Sequence, residues 1–387
     1  MSDTGTPTTP APDPTRCLTP VLPRRASTLA GFVALGSFWG AWAAVLPSVQ
    51  VATGTSKGAL GVAMLFVSVG SIPAMFFLAA PAVDRFGARA VAIGCGVFAI
   101  ATTLPGLATT LPTLILTLTF AGVGSGIVDV AINANVGRIE SATGARLMPF
   151  AHGMYSVGIL VGAVAAGLAR NAGVGREPIL LAVAVAIALT GLGIVTDSAR
   201  VHTESVKGIR IARGLVVVGF LGAAAFVVEG GTESWSALFL ERQLHAHPAV
   251  SGLGPGLFGA SMALGRFSGQ ALHRYSDRLL LGAGAALSAV GCVVVAAAPS
   301  APVGLVGFVL AGAGISLTAP IVFGIAGRRP DAGSAVATVT TIGYLGLLVG
   351  PPLVGGVAQA TSLRVSFVAL AVIAAAVAAA AARLRFD

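Results

Sequence analysis

The sequence predicts an all-α membrane protein with twelve transmembrane helices in two pseudo-symmetric six-helix halves. Three observations carry this reading. Of 387 residues, 56% are hydrophobic and only 10% are Asp, Glu, Lys or Arg, with a mean hydropathy of +0.92, whereas soluble domains carry about 25% charged residues. The apolar runs are apolar on every side and about 20 residues long, the length that crosses the hydrocarbon of a bilayer. Glycine and arginine landmarks of the first half recur in the second at a nearly constant offset. This composition excludes a soluble enzyme, a disulfide-stapled secreted module and a disordered scaffold. Cys17, Cys95 and Cys292 are too scattered for a disulfide framework or a metal site, and Cys95 and Cys292 read as small apolar filler.

The elements follow in chain order. Residues 1–27 form a polar tail, rich in proline and without an apolar stretch, which reads as disordered. It lacks the apolar core of a cleaved signal, so the first hydrophobic run is expected to be a retained span. That run, 28–50, carries Trp39 and Trp42 near its middle, away from the interfacial depth that tryptophan favours. Their rings read either as surfaces that stack on a sugar or an apolar compound, or as packing groups. Span 2 covers 58–80 and leads into a polar loop at 84–89; span 3 covers 89–108. Span 4, 112–136, contains Asp129 and Asn133. Span 5, 150–170, opens on His152, a candidate proton relay by its titration range and otherwise a loop anchor. The same span carries Gly158 and Gly162, whose four-residue spacing permits close helix approach. Span 6 covers 178–197.

A polar connection at 198–212 separates the first half, 28–197, from the second, 213–387. Span 7, 213–240, contains Glu229, Glu233 and Trp235. Span 8 covers 252–272; its Gly254-Pro-Gly256-Leu-Phe-Gly259 run has no strand before it and is no dinucleotide fingerprint. Spans 9 and 10 cover 279–298 and 302–327. Span 11, 334–358, repeats the spaced glycines as Gly346 and Gly350, and span 12 covers 362–382. Arg85-Phe86 and Arg89 match Arg274-Tyr275 and Arg278 at a shift of 189, while Gly158 and Gly162 match Gly346 and Gly350 at 188. Gly124-Ser-Gly126-Ile matches Gly312-Ala-Gly314-Ile at 188 as well. Agreement in three span pairs implies a duplicated six-helix unit, the parallel repeat of one large class of secondary transporters.

Twelve spans place both termini on one side. Eighteen of the 23 Lys and Arg residues fall on that side and five on the other. Positive charge is retained in the cytoplasm, so both termini are expected to be cytoplasmic. The same asymmetry accounts for a net charge of +9 without nucleic acid as a partner.

The residues after span 2 resemble the signature of the major facilitator superfamily. Residues 80–89 read Ala-Pro-Ala-Val-Asp84-Arg85-Phe-Gly87-Ala-Arg89, matching its Asp-Arg-x-Gly-x-Arg core and departing at Ala80 and Ala82. Gly126-Ile-Val-Asp129-Val-Ala-Ile-Asn133 resembles the fucose:proton symporter branch, although span 1 lacks the acidic residue that the sugar symporters use there. The resemblance covers about residues 28–385 and implies the major facilitator fold, with helices 1, 4, 7 and 10 lining a central cavity. It also implies that Asp84, Arg85, Gly87 and Arg89, with Arg274, Asp277 and Arg278 in the second copy, form a cytoplasmic gate. In that gate Asp84 would dock against the N-terminus of helix 11. The run 350–356 resembles a motif that drug antiporters carry on helix 5, but here it lies on span 11, so antiport is not read from it.

Of the 14 acidic residues, only Asp129, Glu229 and Glu233 lie well inside a span. A charge at membrane depth costs about 2.5–3.5 kcal/mol on insertion scales and faces the bundle interior or a water-filled cavity. Gly122, Gly126, Asp129 and Asn133 share one helical face, as do Gly222, Glu229, Glu233 and Ser236. With these boundaries Asp129 lies about 10 Å from the termini-side end of span 4, and Glu229 about 24 Å along span 7 from that side. Asp129, Asn133, Glu229, Glu233, Trp39 and Trp42 are therefore the expected substrate- or proton-binding set, with a structural pairing of Asp129 and Asn133 as the alternative. No P-loop, metal cluster or nucleophilic triad appears, so neither an enzyme nor a cofactor is expected. The reading is a monomeric secondary transporter in the lipid bilayer, working by alternating access and moving a small solute with protons. Export of drug-like or metabolite compounds is the alternative transporter reading, and a non-transporting membrane sensor is the alternative outside that class.

Overall fold

A computed structural model describes residues 21–87, 89–196, 215–272, 274–329 and 332–383. The chain there folds into twelve long helices: α1 (Val21–Thr53), α2 (Lys57–Phe86), α3 (Arg89–Leu107), α4 (Leu111–Thr143), α5 (Met148–Asn171) and α6 (Arg176–Thr196). The second set is α7 (Val216–Leu244), α8 (Pro248–Leu272), α9 (Asp277–Ala297), α10 (Ala301–Ala326), α11 (Ala332–Ala360) and α12 (Leu363–Arg383). Eleven of them are long and apolar enough to cross a membrane. The exception, α8, has the length but is diluted by glycine, serine and Arg266.

Several ends differ from the expected ones. Helix α1 begins at Val21, inside the stretch expected to be a disordered tail; residues 1–20 and the connection 198–212 lie outside the described residues. Helix α4 runs to Thr143 rather than 136, since beyond the apolar run it still buries Ile139, on the same face as Val136. Gly144 at φ +69° then closes it, a left-handed position that glycine takes without Cβ strain. Glu140, on that extension, accepts from the backbone N–H groups of Leu147 and of Met148, the latter at 2.7 Å, and so caps the start of α5. Helix α2 also outruns its expected end at 80: it carries a π-helical turn at Met75–Ala79 and continues through Asp84 and Arg85 to Phe86. The expected loop is thus a helix end, and Gly87 at φ +59° terminates it. Helix α10 loosens at Ser316 and Leu317, because Pro320 has no N–H to offer the Ser316 carbonyl.

Glycine governs how closely the helices approach. A Cβ on Gly158 would lie 2.3 Å from the Val33 carbonyl oxygen, and one on Gly162 2.0 Å from that of Ser37, so α5 packs on α1 backbone to backbone. A Cβ on Gly346 would lie 2.0 Å from the Ala223 carbonyl oxygen and one on Gly350 3.0 Å from that of Val227, which repeats the contact between α11 and α7. The two sets of six meet along α5 and α8, where Gly167 faces Gly252 and Gly259 faces Ile159. They also meet where the start of α2 reaches the end of α11, with Gly61 against Pro352 and the Gly58 N–H donating to the Gln359 side chain at 3.4 Å. Both of these α2–α11 contacts lie at the face opposite the termini.

Candidate functional site

Helix α4 presents Asp129 and Asn133 one turn apart, and the amide of Asn133 donates at 2.9 Å to both the carboxylate and the carbonyl oxygen of Asp129. The second carboxylate oxygen accepts from the Tyr344 hydroxyl of α11 at 3.0 Å. In the observed helices Asp129 is about 21 Å from one end of α4 and about 27 Å from the other, Glu229 lies midway along α7, and Tyr344 is close to the middle of α11. These depths replace the shallower placement of Asp129, which rested on the shorter helix. Gly122 and Gly126, on the same side of α4, serve close approach to Val67 and Ser71 of α2.

A second polar group gathers on Arg266 of α8. Its guanidinium pairs with Glu229 of α7 at 3.1 Å and donates to the Ser156 hydroxyl at 2.7 Å and the His152 carbonyl at 3.2 Å on α5. The side chains of Arg266 and Glu229 are 4% and 12% exposed, so the pair lies in the bundle interior. Arg266 is one of the eighteen basic residues that the sequence puts on the termini side; the structure buries it between helices, which leaves 17 of them to set the orientation. Glu233 lies one turn beyond Glu229 and within electrostatic reach of both Glu229 and Arg266. Tyr155 of α5 lies within electrostatic reach of Glu229, Glu233, Arg266 and Asp129, and so neighbours both polar groups. Among the described residues these neighbours comprise three carboxylates and one guanidinium.

Other expected residues separate. Trp42 is 2% exposed and belongs to the hydrophobic core, so its ring has no face left for a ligand, while Trp39 is only partly buried and packs edge-on against Phe38. The His152 ring stands edge-on to Phe32 with centroids 5.5 Å apart, and its backbone carbonyl, not its imidazole, meets Arg266. Trp235 is buried and donates to the Pro351 carbonyl at 3.1 Å, tying α7 to α11.

At the termini-side ends, Asp84 is exposed on the last turn of α2, within electrostatic reach of Arg138, which itself donates to the Val83 carbonyl at 3.3 Å. Arg85 lies over the Phe86 ring at 5.5 Å and Arg274 over the Tyr275 ring at 5.0 Å, the same pairing in both copies. Arg89 is exposed at the first position of α3. Asp277, in the first turn of α9, pairs with Arg328 beyond α10, and Arg278 donates to the Ala382 carbonyl of α12. This second copy therefore clasps its own half.

Two residues escaped the sequence reading. Tyr344 stands in a glycine-rich run whose periodicity signals packing, and nothing local marks it as the partner of a residue 215 positions away. Arg266 is six residues from the end of α8, where an arginine reads as a flank; the weak hydropathy of that helix was the available signal.

Comparison with known proteins places these features in a family. The model described as Major Facilitator Superfamily matches residues 27–331 and 215–387. An uncharacterized MFS-type transporter of Yersinia pestis is 34% identical over 374 residues, covering 94% of this chain and 96% of its own length. Membrane protein MosC of Rhizobium meliloti is 30% identical over 330 residues, covering 84% of this chain and 81% of its own. The crystal structure of a D-xylose-proton symporter superposes with a TM-score of 0.77 at 14% identity, covering 94% of this chain and 98% of its own.

Proposed function

Because the chain belongs to the major facilitator superfamily and is a multi-pass membrane transporter rather than an enzyme, we propose that it is a proton-coupled secondary carrier of a small polar solute. It works as a monomer by alternating access between the halves 28–197 and 213–387, in a bacterial-type inner membrane with both termini in the cytoplasm. The observation that carries this reading is the hydrogen bond from Tyr344 to Asp129, which joins a carboxylate of one half to a hydroxyl of the other at mid-depth. A carboxylate so placed has a different set of partners each time the halves rearrange, and its hold on a proton changes with them. Asp129 is the coupling site, supported by Asn133. Glu229 and Glu233 of α7, with the partly buried Trp39 of α1, meet the solute. The Asp84, Arg85, Gly87 and Arg89 cluster and its copy at Arg274, Asp277 and Arg278 steady the cytoplasmic ends of the halves, and His152 anchors the start of α5.

A second reading, in which the carboxylates balance a cationic compound during export, is favoured by the excess of three carboxylates over one guanidinium. A thermal-shift screen of small solutes on the purified protein, repeated at two pH values, separates the two. A neutral or anionic polar ligand whose shift grows at lower pH supports proton-coupled transport. A cationic ligand whose shift falls at lower pH, where protons compete for the acids, supports the second reading.

A further inference from the structure

At the face opposite the termini, one buried charge pair ties the two halves together. Arg170, in the last turn of α5, places one terminal nitrogen 2.5 Å from a Glu241 carboxylate oxygen on α7 and the other 3.2 Å from the second oxygen. The same guanidinium donates to the Ala44 carbonyl at 2.7 Å and to the Ser48 hydroxyl at 2.8 Å, both on α1. Glu241 also accepts from the Ser251 hydroxyl of α8 at 2.6 Å. Two helices of the first half and two of the second thus meet on one ion pair, whose side chains are 8% and 14% exposed. A cavity of about 430 Å³, lined by Arg170, Glu241, Arg176 and Arg242 among others, opens directly beside it.

Helix packing does not require these charges. Helices α5 and α8 already meet at Gly167 and Gly252, where the two backbones are in contact. A buried ion pair adds little stability over apolar residues of the same volume, whereas deleting one partner strands the other without water. That penalty applies only to the arrangement that buries the pair. When these helix ends part and the adjoining cavity floods, each charge is solvated alone. The pair therefore weights the balance between the closed and open arrangements of this face.

We propose that Arg170 and Glu241 are positioning residues of the transport cycle, a latch that holds the face opposite the termini closed and separates when solute enters or leaves there. The inference rests on the alternating-access part of the function proposed above and is independent of whether Asp129 is the coupling site.

The test is double electron–electron resonance on the full chain in lipid nanodiscs, with native cysteines replaced and spin labels at Val174 and His247. Both are exposed residues in connections on this face. A second label pair, Ala142 with Leu279, reads the termini side. Arg170→Ala and the milder Glu241→Gln, each checked for folding by size exclusion, should raise the share of long Val174–His247 distances above wild type. The exchange Arg170→Glu/Glu241→Arg should bring that share back toward wild type. Unchanged distributions in both single variants, with folding intact, overturn the latch. Lengthening at Val174–His247 without shortening at Ala142–Leu279 supports the latch and contradicts alternating access.

Discussion

The hydroxyl of Tyr344 and the carboxylate of Asp129 stand 3.0 Å apart in the middle of the bundle, joining helices that belong to different halves of the chain. Asn133 holds the other carboxylate oxygen from within α4. One contact is local and survives any movement of the halves; the other exists only while α4 and α11 are together.

Removing the cross-half contact should weaken the observed arrangement without emptying the site. A hydrogen bond to a charged group contributes about 1.5–3 kcal/mol, so Tyr344→Phe should lower the thermal-unfolding midpoint in detergent. In an Asp129→Ala background, where the acceptor is gone, adding Tyr344→Phe should lower the midpoint by much less than it does alone.

The Arg266–Glu229 pair should show strong non-additivity. Leaving one buried charge without its partner costs about 3–5 kcal/mol, so Arg266→Gln and Glu229→Gln should each reduce the yield of monodisperse protein. The double variant should recover part of the loss. Equal or worse behaviour of the double variant would mean that the two side chains act separately.

The repeated glycines give a sharper steric contrast. Gly346→Ala and Gly162→Ala place a Cβ about 2.0 Å from a backbone oxygen of the facing helix, and overpacking of this kind costs about 1–3 kcal/mol or more. Gly96→Ala and Gly356→Ala meet nothing within 4 Å and gain up to about 1 kcal/mol of helix propensity. Thermal midpoints should fall for the first pair and hold or rise for the second.

The two tryptophans of α1 should separate in the same way. Trp42→Ala empties a core position and should cost about 3–5 kcal/mol, visible as poor folding. Trp39→Ala, at a partly buried position, should leave folding largely intact and weaken ligand binding. A Trp39→Ala protein with unchanged ligand affinity would assign that ring to packing.

Much of the architecture was legible because a bilayer forces apolar length and a small charge census to be written into the chain. The Asp129–Asn133 pair was legible for a local reason, since residues four apart on a helix share a face. The tail and helix ends were not, because α1, α2 and α4 continue as helices past the apolar runs, where single buried residues, Val83 in α2 and Ile139 in α4, support the extensions. Arg266 misled because the charge census assigns every arginine to a surface, whereas Glu229, Ser156 and the His152 carbonyl together supply partners inside. Tyr344 and the Arg170–Glu241 pair depend on contacts between halves, which no helical period encodes.

The most direct test of the central claim compares two modes of transport in proteoliposomes containing Asp129→Asn, using the solute identified by thermal shift. If Asp129 couples the proton, the variant should lose accumulation driven by a pH gradient while keeping counterflow exchange of labelled for unlabelled solute. Gradient-driven accumulation at the wild-type level in Asp129→Asn would contradict the account.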